Sequence, residues 1–305
     1  MPSRWTGKEC MMEKKLLMIV NPRAGRNKSH GPLFDAAAIF SEAGYLLRIH
    51  RTTAPGDATE TVAREGSQYD LVVASGGDGT LNETIAGLVQ LDNPPLLGYL
   101  PQGSTNDFAS SLHISDDPAA AAEVIVQEHV QVLDVGLWNQ RPFAYVASFG
   151  AFTRTSYTAS QASKNALGHF AYILEGMKDL NSLRPYRIRV TADGEVLDGD
   201  YLFGAVCNST SIGGLMKLDP ERVVLDDGKF ELLLIPSPKT PLELQNLMLA
   251  LLNQHYDSEG LVFRHISSLH LETEEDLPWS LDGEYAPSVP VVDIVNRQRA
   301  LRMLL

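Results

Sequence analysis

Three glycines, a carboxylate and two hydroxyls stand together in Ala74-Ser75-Gly76-Gly77-Asp78-Gly79-Thr80. The run Asp70-Leu71-Val72-Val73-Ala74 before it is apolar without alternation, as in a strand buried on both faces of a parallel sheet. After it, Leu81, Ile85 and Leu88 recur at helical spacing, with Thr80 and Asn82 near the start. Glycines between a strand and a helix let a ligand approach the backbone closely. The exposed amides of a helix start attract anions, phosphate above all. Asp78 does not fit a bare anion site, because its charge repels phosphate unless a cation lies between them, and Mg²⁺ with a nucleotide meets that requirement. Asp-Gly between apolar segments is also a hairpin signal, but the helical period that follows argues for the ligand turn.

Further elements must position this turn. The first half of the chain alternates predicted strands (16–21, 45–50, 70–75, 96–100) with predicted helices (32–43, 57–66, 80–90, 117–128), the pattern of a parallel sheet covered on both faces. Such sheets bind ligands beyond the carboxyl ends of their strands. Three loops fall there: Asn21-Pro22-Arg23-Ala24-Gly25-Arg26, the turn at Gly76 to Thr80, and Pro101-Gln102-Gly103-Ser104-Thr105-Asn106-Asp107. From about Leu133 short strands dominate (143–149, 186–191, 201–207, 229–235, 261–271, 289–294), with helices expected at 162–183 and 241–254; this texture predicts a β-sandwich.

The 305 residues, 44% hydrophobic and 21% charged, are ordinary for a globular protein of two domains. A formal net charge of -13 argues against nucleic acid as a partner, since phosphate neutralisation needs clustered Lys and Arg. One basic island, Arg141, Arg154, Lys164, Lys178, Arg184, Arg187 and Arg189 against Glu175 and Asp179, offers a face for an anionic membrane or ligand, or a solvated helix face. Two cysteines, Cys10 and Cys207, exclude a disulfide framework and fit a reducing cytosol. No apolar run reaches the roughly 18 residues of a spanning helix. The expected setting is cytoplasmic, and residues 1–14 read as a poorly ordered leader. No histidine pair has zinc-ligand context, and no Walker-type Gly-x-x-x-x-Gly-Lys-Ser/Thr loop occurs.

Taken together, Asn21-Pro22 with Gly25, Gly76 through Glu83, Gly103-Ser104-Thr105-Asn106-Asp107-Phe108-Ala109 and Leu281-Asp282-Gly283-Glu284 resemble the bacterial soluble lipid kinases of the diacylglycerol kinase family. Gly-Gly-Asp-Gly also marks NAD kinases and phosphofructokinases; the Asn106-Asp107-Phe108 extension and the late Leu-Asp-Gly-Glu set this chain with the lipid kinases. The resemblance implies an N-terminal phosphofructokinase-like three-layer α/β domain (13–133, completed by 296–305) and a C-terminal β-sandwich (134–295), with the active site in the cleft between them. It implies ATP and Mg²⁺ as cofactors and a lipid substrate met at the inner membrane surface.

By motif, the ATP site would be lined by Asn21, Thr52, Gly76, Gly77, Asp78, Gly79, Thr80, Leu81, Asn82, Glu83, Gly103 and Ser104. Gly77 and Gly79 would offer amides, Thr80 and Ser104 hydroxyls; Ser104 stands where the family usually has Thr. Asp78 would order catalytic Mg²⁺, with Asn106 and Asp107 bracing the loop or the metal's water shell. Glu284 matches the family's proton acceptor. Asp227 with the carbonyls of Val224 and Lys229 matches a structural Mg²⁺ site. The alternatives are an NAD kinase and a nucleotide-binding regulator without catalysis. Unpaired sheet edges leave room for a homodimer.

Overall fold

The computed structural model describes residues 13–24, 31–104, 106–150, 184–212, 216–218, 222–253, 255–256 and 260–305. The expected helix at 162–183, Arg154, Lys164, Lys178, Glu175 and Asp179 of the basic island, Gly25 and Arg26 of the first loop, and Thr105 lie outside them.

The first unit is built on β1 (Lys14–Val20), β2 (Tyr45–Arg51), β3 (Leu71–Gly76) and β4 (Leu96–Pro101), all parallel in the order β2-β1-β3-β4. Every residue of β3 is buried, which its unbroken apolar run requires. Helices α1 (Gly31–Glu42), α2 (Asp57–Glu65), α3 (Asp78–Leu88), α4 (Asp107–Ser111) and α5 (Pro118–Ile125) connect the strands. Two apolar clusters cover the two sheet faces: Leu17, Val72, Leu81 and Ile85 on one, Leu16, Met18, Val73 and Phe40 on the other. Two boundaries shift from the sequence reading. Lys14, expected in the leader, opens β1 and pairs with Glu128, and α3 begins at Asp78 because Gly77 is its extended N-cap.

The second unit is antiparallel. It comprises β5 (Val130–Trp138), β6 (Arg141–Phe143), β7 (Val146–Gly150), β8 (Tyr186–Ala192), β9 (Glu195–Cys207), β10 (Ser211–Ile212), β11 (Met216–Lys217) and β12 (Phe230–Pro236). Helix α6 (Pro241–Leu252) follows, then β13 (Val262–Ile266), β14 (Ser268–Glu272), β15 (Trp279–Leu281), β16 (Glu284–Ala286) and β17 (Val291–Leu304). Trp138, Phe143, Phe149, Phe230, Leu271 and Trp279 fill its core, with the Phe149 and Trp279 rings 4.8 Å apart. The single strand expected at 261–271 is two. The chain breaks at Ser267, where Asp193 accepts the backbone N–H groups of Ser267 and Ser268, and passes from pairing β12 to pairing β8 and β17. Strands β5, β10, β11, β15 and β16 and the five-residue α4 went unanticipated; all but β5 are too short to show a period.

Strand β17 continues well past the expected end at 294. Its first residues pair with β14 in the sandwich, while Met303 pairs in parallel with Leu97 of the first sheet and Leu301 to Leu304 run antiparallel to Leu133 to Val130. The register slips between Arg297 and Leu301, and Arg299 has φ 54°. Buried Asp134 holds this bulge, accepting the amides of Arg299 and Gly228 at 2.7 Å each and the Asn296 side chain at 3.1 Å. On β12, Glu231 is buried in register between Cys207 and His265, with Oε2 lacking a partner among the described residues.

Candidate active site

Loops at the carboxyl ends of β1, β2, β3 and β4 gather at one edge, as a parallel sheet dictates. The Asn21 amide donates to the Ser75 carbonyl, and its side chain donates to Thr80 Oγ1 at 3.0 Å while accepting from the Arg23 amide. Gly77 and Gly103 come so close that a Cβ on Gly103 would stand 2.7 Å from the Gly77 Cα; glycine at these positions lets two loops share one floor. Asn106, at φ 51°, clasps Gly103 by accepting its amide at 2.8 Å and donating to its carbonyl at 3.3 Å.

The first turn of α3 supplies the anion site. The amides of Thr80 and Leu81 turn back to the Gly77 carbonyl; of the residues before them Gly77 and Gly79 border the cleft and Asp78 does not, so the glycine amides are those that this helix start offers to an anion. Above them is a cleft of about 560 Å³, large enough for a nucleotide. Asn21, Thr52, Gly77, Gly79, Thr80 and Asn82 line it, as do Glu83, Gly103 and Ser104. Glu83 accepts the Gly56 amide at 2.8 Å and so fixes the loop that carries Thr52. From the second unit come Arg141 and Glu284.

Glu284 reaches across to the helix start. A Cβ on Gly79 would lie 2.9 Å from Glu284 Oε1, so the carboxylate rests on a residue of the turn that has no side chain to displace it. The β15–β16 turn that carries it is held by Asp282, whose φ is 50°. The Asp282 carboxylate is buried and accepts the amides of Ala144, Tyr145 and Val146 at 2.6, 3.0 and 3.0 Å, and the Asn82 side chain at 2.7 Å.

Five expected site residues stand behind the cleft surface. Leu81 belongs to the core cluster, and Gly76 is a buried strand end. Asn106 braces Gly103. The Asp78 carboxylate points to the start of α4, accepting the amides of Asp107 and Phe108 at 3.2 and 3.4 Å. Burial, with the charge of Asp107 second, raises its pKa to about 6; burial also raises that of Asp107. Neither has a cationic partner among the described residues. Nearby, the buried Tyr99 hydroxyl has no hydrogen-bond partner among the described residues. Two largely buried carboxylates without a cationic partner among the described residues are hard-oxygen donors of the kind that magnesium takes.

Val224, Asp227 and Lys229 lie outside the cleft lining. Asp227 Oδ1 accepts the Lys229 amide at 2.8 Å and the Lys229 carbonyl accepts from Asn296 at 3.3 Å. Two of the expected ligating groups are thus engaged in holding the turn.

Two participants escaped the sequence reading. Arg141 carried a signal only as the first member of the basic island, and Asp282 stood inside a quoted motif without a role.

A helix start that offers amides to phosphate, faced across an interdomain cleft by a carboxylate, is the arrangement of a phosphotransferase. Residues 15–138 match the family described as diacylglycerol kinase catalytic domain, and residues 146–305 match a YegS C-terminal NAD kinase beta sandwich-like domain. A Bacillus subtilis (strain 168) protein named diacylglycerol kinase is 34% identical over 295 residues, 96% of each chain. A Staphylococcus aureus (strain MRSA252) diacylglycerol kinase is 33% identical over 290 residues, 94% of this chain and 91% of the relative. The crystal structure of a diacylglycerol kinase from Bacillus anthracis str. Sterne superposes with a TM-score of 0.73 at 25% identity, covering 96% of each chain. The chain belongs to the diacylglycerol kinase family, and it is a lipid kinase by that membership. No helix among the described residues is long and apolar enough to cross a membrane.

Proposed function

We propose that the protein transfers the γ-phosphoryl group of ATP to a hydroxyl of diacylglycerol or a closely related lipid at a cytoplasmic membrane surface. The observation that carries this reading is the placement of Glu284 against Gly79: a carboxylate suited to accept a proton lies against the turn whose amides would hold the phosphates.

Phosphoryl transfer demands positioning and charge neutralisation rather than covalent help from the protein. The amides of Gly77 and Gly79 hold phosphate oxygens, with hydroxyl donors from Thr80 and Ser104. Thr80 is oriented for this by Asn21. Asn106 keeps the Gly103-Ser104 backbone in place, and Glu83 does the same for the Thr52 loop. Asp78 and Asp107 would hold the magnesium ion, which when bound offsets charge on the phosphates. Glu284 takes the proton from the lipid hydroxyl as that oxygen approaches the γ-phosphorus. Asp282 keeps Glu284 at the helix start through its four hydrogen bonds.

The test is incubation with γ-labelled ATP, Mg²⁺ and phosphatidylglycerol vesicles carrying diacylglycerol, with Asp78→Ala as control. Label is expected in phosphatidate, and only with the unaltered protein. Label absent from lipid but present on NAD would replace this reading with that of an NAD kinase.

A further inference from the structure

Among the described residues, Arg141 is the one cation that the second unit sends into the cleft. It stands on β6, which is pinned on both sides. Its Nη1 donates to the Tyr285 carbonyl at 3.0 Å, one residue beyond Glu284, and the next carbonyl, of Pro142, accepts from Asn82 of α3 at 3.4 Å. The guanidinium therefore belongs to the same rigid assembly as Glu284 and Asp282. It has no carboxylate partner among the described residues, and one nitrogen bonded to a carbonyl leaves most of its five N–H donors unused. The other lining cation, Arg23, is on the first loop, away from the Glu284 hairpin.

A planar cation with spare donors, held beside a proton acceptor and facing amides arranged for phosphate, is suited to an oxyanion with several oxygens. We propose that Arg141 is a further catalytic residue, which contacts the transferring γ-phosphoryl oxygens from the acceptor side of the cleft. The inference rests on the kinase reading above. In the step it serves, the acceptor oxygen forms a bond to the γ-phosphorus and the bond from that phosphorus to the β,γ-bridging oxygen breaks. The electron pair leaves with ADP, the acceptor proton passes to Glu284, and the charge on the equatorial oxygens meets the guanidinium. The γ-phosphate is the part of ATP that ADP lacks, so this contact distinguishes the two nucleotides.

The experiment compares the unaltered protein, Arg141→Ala and Arg141→Lys, each confirmed to be folded by its thermal transition. The affinities of ADP and of the imido-bridged, non-hydrolysable ATP analogue are measured alongside turnover on diacylglycerol vesicles, with and without added guanidinium. Arg141→Ala is expected to bind ADP within about threefold of the unaltered protein and to lose its preference for the triphosphate. Its kcat should fall about 10²- to 10³-fold and recover in part with guanidinium, with Arg141→Lys between the two. An unchanged triphosphate preference would overturn the proposal, and so would equal losses for ADP and analogue with no rescue, which would mark Arg141 as a pin for the hairpin. The binding arm involves no lipid. Failure of the unaltered protein to label lipid would count against the kinase reading, while the nucleotide preference would still decide the role of Arg141.

Discussion

The Asn82 side chain donates a 2.7 Å hydrogen bond to the Asp282 carboxylate, 200 residues away in sequence. Asn82 is in the second turn of the helix whose start forms the anion site, and Asp282 is two residues before Glu284. A single buried contact thus joins the phosphate-binding half of the cleft to the half that bears the proton acceptor.

Asn82→Ala should leave Asp282 with its three backbone donors and cost about 1–2 kcal/mol of stability. Its kcat should fall well beyond what that loss explains, with ADP affinity nearly unchanged, because Glu284 loses its registration with the helix. Asp282→Ala is expected to be harsher, since it strands three buried amides. Chemical denaturation together with steady-state kinetics separates the two effects; an Asn82→Ala enzyme with unaltered kcat would show that the contact serves folding alone.

Glu284→Gln should lower kcat by roughly 10²- to 10⁴-fold while ADP still binds. Gly79→Ala reaches the same group by another route, because the new methyl occupies the space of Glu284 Oε1. It should depress kcat in a protein that melts normally, and adding it to Glu284→Gln should cost little more. A fully additive double variant would separate the two residues.

Asp78 gives the reaction and the fold opposite pH dependences. Its pKa is raised to about 6 from 3.8, so the folded protein holds this proton more tightly than the unfolded chain. The conformational cost of ionising Asp78 is absent below pH 3.8, grows between there and about pH 6, and is complete above. At roughly 1.4 kcal/mol per unit, Asp78→Asn should gain up to about 3 kcal/mol of stability at pH 7 to 8 and almost nothing at pH 4. Activity, which needs the carboxylate, should be lost in Asp78→Asn and should fall in the unaltered protein as pH drops through about 6. Thermal melts across that range, set beside initial rates, check both signs.

Glu231 makes a parallel prediction away from the cleft. Burial, with the charge of Asp227 adding to it, pushes its pKa from 4.5 to about 8, so stability should decline as pH climbs between those values. Glu231→Gln should remove that decline, raising the melting temperature at pH 9 by roughly 3 °C or more with little change at pH 4. Equal shifts at both pH values would mean that packing and not ionisation governs the site.

The parallel sheet was readable because its apolar runs and the switch to helical period at Leu81, Ile85 and Leu88 are local properties of the chain. The loops at Asn21, Gly76 and Gly103 followed from it, since strands that run one way deliver their ends to one edge. Asp282 was not readable: Asp-Gly marks a turn in any chain, and its role depends on Asn82 and on amides some 137 residues distant. Arg141 was obscured by its sequence neighbours, which made it one of several scattered charges until β6 placed it beside Tyr285. The orientation of Asp78 towards α4 was hidden as well, because a five-residue helix leaves no periodic trace.

Strand β17 begins in the sandwich and ends beside β4. The first unit is contiguous in sequence up to its fourth strand, yet the flank of β4 stays open until residues 301–304 arrive from the far end of the chain. During synthesis the nucleotide-binding half therefore exists for some 200 residues of elongation as a sheet with a bare edge, a template for unwanted pairing. Closing it is a contact of very high sequence separation, which places completion of this half late in folding. The sandwich waits for the same strand, because Ile294 to Arg297 pair with Trp138 to Val135 while Leu281 pairs with Ala147, so the half that bears the phosphate turn and the half that carries Glu284 close together on the arrival of β17.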